Sequence, residues 1–323
     1  MKFRTEIQAN PLGTDIGYDD NVLLFGSCFA DEMRRKMQTL KFRAAGNFTG
    51  PLFNPASIAA FLRRMENPAP AAACELQQGS DGLWFHYDTN THLSHPSRAT
   101  ALQHYNDALS TARTLLPTTR CVIITFGTAW VYRLRENGHL VANCHKQPQA
   151  LFQRERLEVG QIVGEWSQLL TGPLADKQVI LTISPIRHLN DGAENNSLSK
   201  AILRLAVAEL TDRFAHAHYF PAYEILLDDL RDYRFYADDL VHPSAQAVEY
   251  IWEQFTQAAL SERTQTLLPE VKRLVTACSH RPLHPESAAH RQQCRRILDR
   301  LAALEKSSGI DFSEEIAQCK GVK

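Results

Sequence analysis

Short apolar runs punctuate the chain, and between them apolar residues recur every three or four positions. The clearest runs are "VLLF" at 22–25, "CVIITF" at 121–126 and "VILTI" at 179–183, and each stops at Gly or at Ser-Pro. Runs this short and continuous suit strands buried on both faces of a parallel sheet. The first gives way to Phe29, Met33, Met37 and Leu40 at helical spacing. Asp31 and Glu32 fall in that helix's first turn and Arg34, Arg35 and Lys36 beyond it, as the helix dipole favours. Asn54-Pro55 opens another helical stretch, "ASIAAFLRRM". Helices are also expected at 97–116, at 157–170, and from 198, where positions 198, 202, 205, 206, 210 and 214 are apolar. Ser244 can cap a last body helix whose stripe is Val248, Ile251, Trp252 and Phe255. Shorter strands are expected in "KFRAAG", "GLWFHYD" and "AHAHYF", and Asn137-Gly138 between two β-rich runs signals a hairpin. Residues 67–80 read as loop.

Strands alternating with helices predict an α/β fold, a three-layer α/β/α sandwich with a mainly parallel sheet. The alternation occupies residues 1–260. Beyond it the chain turns polar, His-rich and helical with no strand signal, so 261–323 is expected to be a C-terminal helical extension. At 323 residues and 44% hydrophobic, the chain can bury one large core and still carry an appendage. It shows no internal repeat.

Composition mostly excludes. Lys and Arg total 35 against 36 Asp and Glu, which points to no nucleic acid and no membrane surface as partner. The opening "MKFRTEIQAN" has no apolar signal region, and no apolar stretch is long enough to span a bilayer. The seven cysteines are scattered with no CxxC pair, which suits free thiols and a cytoplasmic setting.

Two places could carry chemistry. Ser27 stands where the first strand meets a helix N-terminus, the edge of an α/β sheet at which ligands bind and free N–H groups favour developing negative charge. A serine there is either a helix cap or a nucleophile, and a nucleophile needs a base. "YADDLVHPS" supplies one: Asp239 and His242 at D-x-x-H spacing let the carboxylate hold one ring nitrogen and leave the other for a hydroxyl. The alternative is a surface pair at a helix start, and Asp238 is a second candidate for the orienting acid. No GxSxG elbow is present, and Gly26 and Gly50 stand without phosphate-loop or dinucleotide spacing. Cys28 adjoins Ser27, but adjacent side chains diverge. Cys144-His145 and His86, His92, His95, His216 and His218 lack metal-ligand spacing, so no metal is expected. Arg187-His188 follows a strand end and either lines a pocket or caps a loop. Lys200 is expected to pair with an acidic residue, and Arg231, Asp232 and Arg234 with one another, steadying the D-x-x-H loop.

The segment Gly26-Ser27-Cys28-Phe29-Ala30 spells the motif for which the GSCFA-domain family is named, and the sequence resembles that family. Supporting segments run in order: "NFTGPLFNP" at 47–55, "ITFGTAWVY" at 124–132, "VANCHKQP" at 141–148, "LTISPIRHLNDG" at 181–192, "NNSLSKA" at 195–201 and the stretch 219–244. The likeness covers about residues 1 to 258 and leaves the C-terminal extension outside.

The resemblance implies the flavodoxin-like fold of SGNH (GDSL-like) hydrolases. It implies Ser27 as nucleophile, His242 as base, Asp239 as its orienting acid, and an oxyanion hole containing the N–H groups of Ser27 and Gly50. The family pattern's third donor, an asparagine, is replaced here by Ala129, and Asn143 is the substitute the sequence offers. The expected function is serine-dependent hydrolysis of an acyl ester, on a small molecule or carbohydrate, without cofactor. An acyltransferase and a non-catalytic binding scaffold are the alternatives.

Overall fold

Alternate residues of the apolar runs part to opposite sides of one sheet. Val22, Leu24, Cys121, Ile123 and Ile180 pack into one core, and Leu23, Phe25, Val122, Ile124, Val179 and Leu181 into the other. A strand buried on both faces cannot alternate in polarity, which explains the continuous runs. The computed structural model describes residues 4–280 and 287–320. The central strands are β1 (Asn21–Gly26), β2 (Arg43–Gly46), β5 (Thr119–Phe126), β9 (Gln178–Ile183) and β10 (Ala217–Phe220). They run parallel throughout, in the order β10-β9-β5-β1-β2. Taken in chain order this is 2-1-3-4-5, a doubly wound arrangement whose direction reverses between β1 and β5.

Two small sheets are inserted. β3 (Gln77–Gln78) pairs antiparallel with β4 (Trp84–Phe85). β6 (Trp130–Leu134) lies between β7 (Leu140–Val141) and β8 (Phe152–Arg156), all antiparallel. The β6–β7 hairpin turns at the expected Asn137-Gly138, whereas β8, "FQRER", has a single apolar residue and gave no strand signal.

Helices cover both faces. On one side lie α2 (Pro55–Glu66), α3 (Arg98–Leu115), α4 (Val159–Thr171) and α5 (Ala193–Arg213). On the other lie α1 (Cys28–Thr39), the short α6 (Ala222–Glu224) with a π-helical continuation (Ile225–Leu230), and α7 (Ala245–Ala259). The body is thus the expected three-layer α/β/α sandwich. The C-terminal helices α8 (Glu262–Ser279), α9 (Ala288–Ser308) and α10 (Ser313–Lys320) follow it. Val271, Leu274, Leu301, Leu304, Ile310 and Phe312 join the same core as Phe29, Met33, Met37 and Trp252. The extension therefore completes the outer layer. Residues 281–286, part of the expected helical tail, fall outside the described residues, as do 1–3 of the amino-terminal stretch.

One helix is rotated from its expected setting. Leu198 and Leu205 of α5 are exposed, and its buried face is Ser199, Lys200, Leu203, Ala206, Val207 and Leu210. Polar attachments explain the turn. The Ser199 hydroxyl accepts from the Ala129 N–H at 2.7 Å, and the Lys200 amine reaches two strand-end carbonyls beneath the helix.

Candidate active site

The parallel register brings the carboxyl ends of the central strands level. Gly26 pairs with Thr125 and Phe126 with Ile183, so the residues that follow, Ser27, Gly127 and Ser184, gather at the switch point between β1 and β5 and beside it. Gly26 adopts φ +135°, and a Cβ there would come 2.1 Å from the Thr125 carbonyl oxygen, so only glycine brings the two strands this close. The Asn47 carboxamide locks the turn: its oxygen accepts from the Gly26 N–H at 2.9 Å and its nitrogen donates to the Gly26 carbonyl at 3.1 Å.

Ser27 is the N-cap of α1, with its hydroxyl oxygen accepting from the Phe29 N–H at 3.3 Å. The same hydroxyl donates to Ser184 Oγ at 2.9 Å. Ser27 is 0% exposed, so at rest it is sealed from solvent and bonded to a second serine, with no bond to a histidine among the described residues. Ser184, also fully buried, is a contact the sequence did not suggest. Its signal was only its place at the end of β9.

Asp239 and His242 form the expected pair. His242 Nδ1 donates to Asp239 Oδ2 at 2.6 Å. Asp239 Oδ1 accepts the N–H groups of Val241 and His242 at 2.8 and 2.9 Å. The His242 N–H, the His242 ring and the Val241 N–H, in that order, hold the Asp239 carboxyl down at about 2. Both side chains are about half exposed, at 46% and 50%. The loop is braced less by its own charges than expected, since Arg234 Nε lies 4.0 Å from Asp232 at the surface. Arg187 does more. Its N–H donates to the Val241 carbonyl at 3.1 Å, and its guanidinium lies 5.3 Å from the Tyr236 ring centre. Asp238 is exposed and makes no part of the pair.

The expected oxyanion donors are occupied or displaced. The Ser27 N–H donates to the Thr125 carbonyl at 3.3 Å, and the Gly50 N–H closes its own turn onto the Asn47 carbonyl at 2.8 Å. Ala129 is fully buried in the core on the α2–α5 side, so no polar group stands where an asparagine was expected. Asn143 does not replace it. Its oxygen accepts from the His145 N–H at 2.9 Å within its own turn, and its neighbours Val141 and Ala142 line the nearby cleft instead.

That cleft encloses about 490 Å³ and is walled by Cys28, Trp130, Arg154, Arg187, His188 and His242, among others. Arg154 ion-pairs with Asp191 and stacks 4.1 Å from the Trp130 ring centre. His188 Nε2 is buried and has no hydrogen-bond partner among the described residues. A Cβ placed on Gly127 would lie 2.8 Å from the Phe53 carbonyl oxygen, 3.3 Å from that nitrogen and 3.5 Å from Ser27 Cβ, so glycine is what lets the histidine and the serine crowd the same strand end. Burial first, then the nearness of Lys200 and His242, push the His188 imidazole down to about 4, so it is neutral at neutral pH.

Lys200, expected beside an acid, instead donates to the carbonyls of Gly127 at 2.6 Å and Ser184 at 2.8 Å. Burial alone lowers its amine from 10.5 to about 7. Cys28 faces the cleft where Ser27 does not, but burial and the neighbouring Asp31 raise its thiol, which disfavours the reactive thiolate. His145 stacks on Phe85 at 4.1 Å, a packing role. Among the described residues, no group of three or more His, Cys, Asp and Glu is arranged to hold a metal. None of their helices is long and apolar enough to cross a membrane.

Fold and site together define a doubly wound α/β/α protein with buried serines, a lysine and histidines gathered at the carboxyl edge of its sheet. The chain belongs to the GSCFA family, whose model matches residues 21–255. A second model, the GSCFA domain protein C-terminal domain, matches residues 271–321, within the stretch that the motifs alone had left outside the resemblance. No curated protein matches the chain.

Proposed function

We propose that the protein is an SGNH-type serine hydrolase that cleaves an acyl ester of a small molecule or carbohydrate. The observation that carries this reading is the Asp239–His242 pair at 2.6 Å, on the wall of a cleft that also takes in Cys28, the residue after Ser27. The cleft, at about 490 Å³, is in the range that encloses small-molecule ligands.

In this mechanism the Ser27 hydroxyl leaves Ser184 and gives its proton to His242 Nε2 as Oγ attacks the ester carbonyl. Asp239 holds the ring through Nδ1 and stabilises the imidazolium. The tetrahedral intermediate collapses, His242 protonates the departing alkoxide, and an acyl-Ser27 remains. Water, deprotonated by His242, then attacks the acyl group and releases the acid and free Ser27. An acyltransferase would differ only in using an acceptor alcohol in place of water.

A second reading, a binding scaffold without turnover, draws on one observation: Ser27 is fully buried and its hydroxyl is committed to Ser184. A fluorophosphonate probe and p-nitrophenyl acetate separate the two. Native protein should label on Ser27 and turn over the ester, and Ser27→Ala should do neither while melting as cooperatively as the native chain. Absence of labelling in the native protein favours the scaffold, and turnover surviving in Ser27→Ala removes Ser27 from the role.

A further inference from the structure

Resting on the serine-hydrolase reading, we propose that His188 is a catalytic residue of this site: its Nε2–H holds the developing oxyanion of the attacked ester beside Ser27, the role for which Ala129 leaves no side chain. Attack by Ser27 puts negative charge on the carbonyl oxygen, and that charge needs preorganised donors. The backbone donors the sequence suggested are spent on Thr125 and Asn47, and Asn143 is turned away into its own loop. Beside Ser27 stands His188, whose Nε2 is without a partner among the described residues.

Its geometry fits. A buried ring nitrogen without a partner is costly, and such atoms in a native fold ask for a ligand. This one lies close to Ser27: Nε2 and Ser27 Cβ are 3.3 and 3.5 Å from the point where a Gly127 Cβ would sit, a point closed by the Phe53 carbonyl oxygen at 2.8 Å, so the oxyanion meets the ring from the cleft side. His188 also lines the cleft, so a substrate in the cleft meets the ring before it reaches the serine. The ring is set by its backbone, where the His188 N–H donates to Asn196 Oδ1 at 2.9 Å, and by the edge of Phe53 at 6.2 Å. Behind it the Lys200 amine bonds the Gly127 and Ser184 carbonyls, which fixes the strand ends beneath the ring.

The two histidines divide the work. His242 has a carboxylate at Nδ1 and an open Nε2, the requirements of a base. His188 has no carboxylate bonded to its ring among the described residues and is held neutral, so it donates one N–H without surrendering a proton.

The test compares His188→Leu, which removes the donor at similar volume, with His188→Gln, which keeps an N–H. Both are assayed on p-nitrophenyl acetate across pH, with fluorophosphonate labelling of Ser27 in parallel. The Leu variant is expected to lose about 100- to 1000-fold in kcat with KM little changed. The Gln variant is expected to recover at least about tenfold of that loss, and the acid limb of the pH profile should keep its position in both, because the base is untouched. His188→Ala replaces the Leu variant if Leu does not melt cooperatively. A loss under about threefold, a Gln variant no better than Leu, or a displaced acid limb each overturns the assignment. Native protein that neither labels nor turns over removes the hydrolase reading and His188's role with it, whereas native activity with indifferent His188 variants removes the latter alone.

Discussion

Lys200→Met removes the most unusual buried group at this site. The native amine is 2% exposed and donates to two backbone carbonyls, at 2.6 and 2.8 Å, with the Tyr223 ring 5.6 Å away on another side. A neutral amine has two hydrogens, which match those two acceptors. In the unfolded chain this amine holds its proton to near 10.5, and in the fold it releases it near 7. Between those values the unfolded state binds more protons, so this group makes stability rise with pH. At about 1.4 kcal/mol per pH unit, the penalty present at neutral pH and below is at most about 5 kcal/mol. Methionine escapes the penalty but strands two buried carbonyls, at about 1–3 kcal/mol each. Near pH 7 the two effects largely offset, and the variant should lie close to native stability. By pH 10 the native amine is neutral and still bonded, and the variant should be weaker by roughly 2–6 kcal/mol. Urea unfolding of both proteins at pH 6.5, 8 and 9.5 reads the difference, because tyrosine and cysteine titrations common to both cancel. A difference that stays flat within about 0.5 kcal/mol across that range refutes the reasoning.

Three further outcomes are expected. Asp239→Asn should lower kcat on a p-nitrophenyl ester on the order of 10³- to 10⁴-fold with the fold intact, since the amide no longer fixes the His242 tautomer, and an unchanged rate would show the pair to be structural. The native Asp239 carboxylate should contribute its full share to stability above 3.8 and lose it only as the pH falls through about 2, which carboxyl NMR shifts can follow. Truncation to residues 1–260 removes, among the described residues, six buried apolar side chains, Val271, Leu274, Leu301, Leu304, Ile310 and Phe312. At about 1.5–3 kcal/mol each, their gross burial is comparable to the whole stability of a typical domain, so the truncated chain should bind a hydrophobic dye and aggregate; a soluble, cooperatively melting 1–260 fragment would count against this.

The strands were legible because a doubly covered sheet demands continuous apolar runs, and 22–25, 121–126 and 179–183 have no other use for them. The D-x-x-H pair was legible because its geometry is local. Two residues separate Asp239 from His242, and backbone N–H groups at 241 and 242 complete the turn. What could not be read is whatever depends on how distant strand ends meet. Ser184 joins Ser27 across 157 positions, and Ser27 and His188 crowd Gly127 because β1, β5 and β9 end level. The orientation of α5 misled for a related reason. Leu198 and Leu205 look like core residues, yet the helix is turned by polar bonds from Ser199 and Lys200 to the strand ends, and periodicity assigns such residues to the outside. The oxyanion donors failed because a backbone N–H is named by position, whereas its partner is set by the turn around it, as at Gly50.

The C-terminal helices bear on the site as well as on the core. A second cavity, of about 640 Å³, begins at Cys28 and His242 and runs between α1, α7 and α8, where Lys272, Val275 and Thr276 form its far wall. Lys36 of α1 and Lys272 of α8 both bond the carboxylate of Glu249 on α7, so the three helices are cross-tied beside this groove. His242 thus stands where two cavities meet, one lined by the β6–β8 insertion and one by the C-terminal helices. On the proposed hydrolase reading, the two cavities would receive the acyl and alcohol halves of the ester. The division between the matches at 21–255 and 271–321 therefore does not divide the site: the body supplies the serine and histidines, and the C-terminal helices supply one of the two walls between which those groups would act.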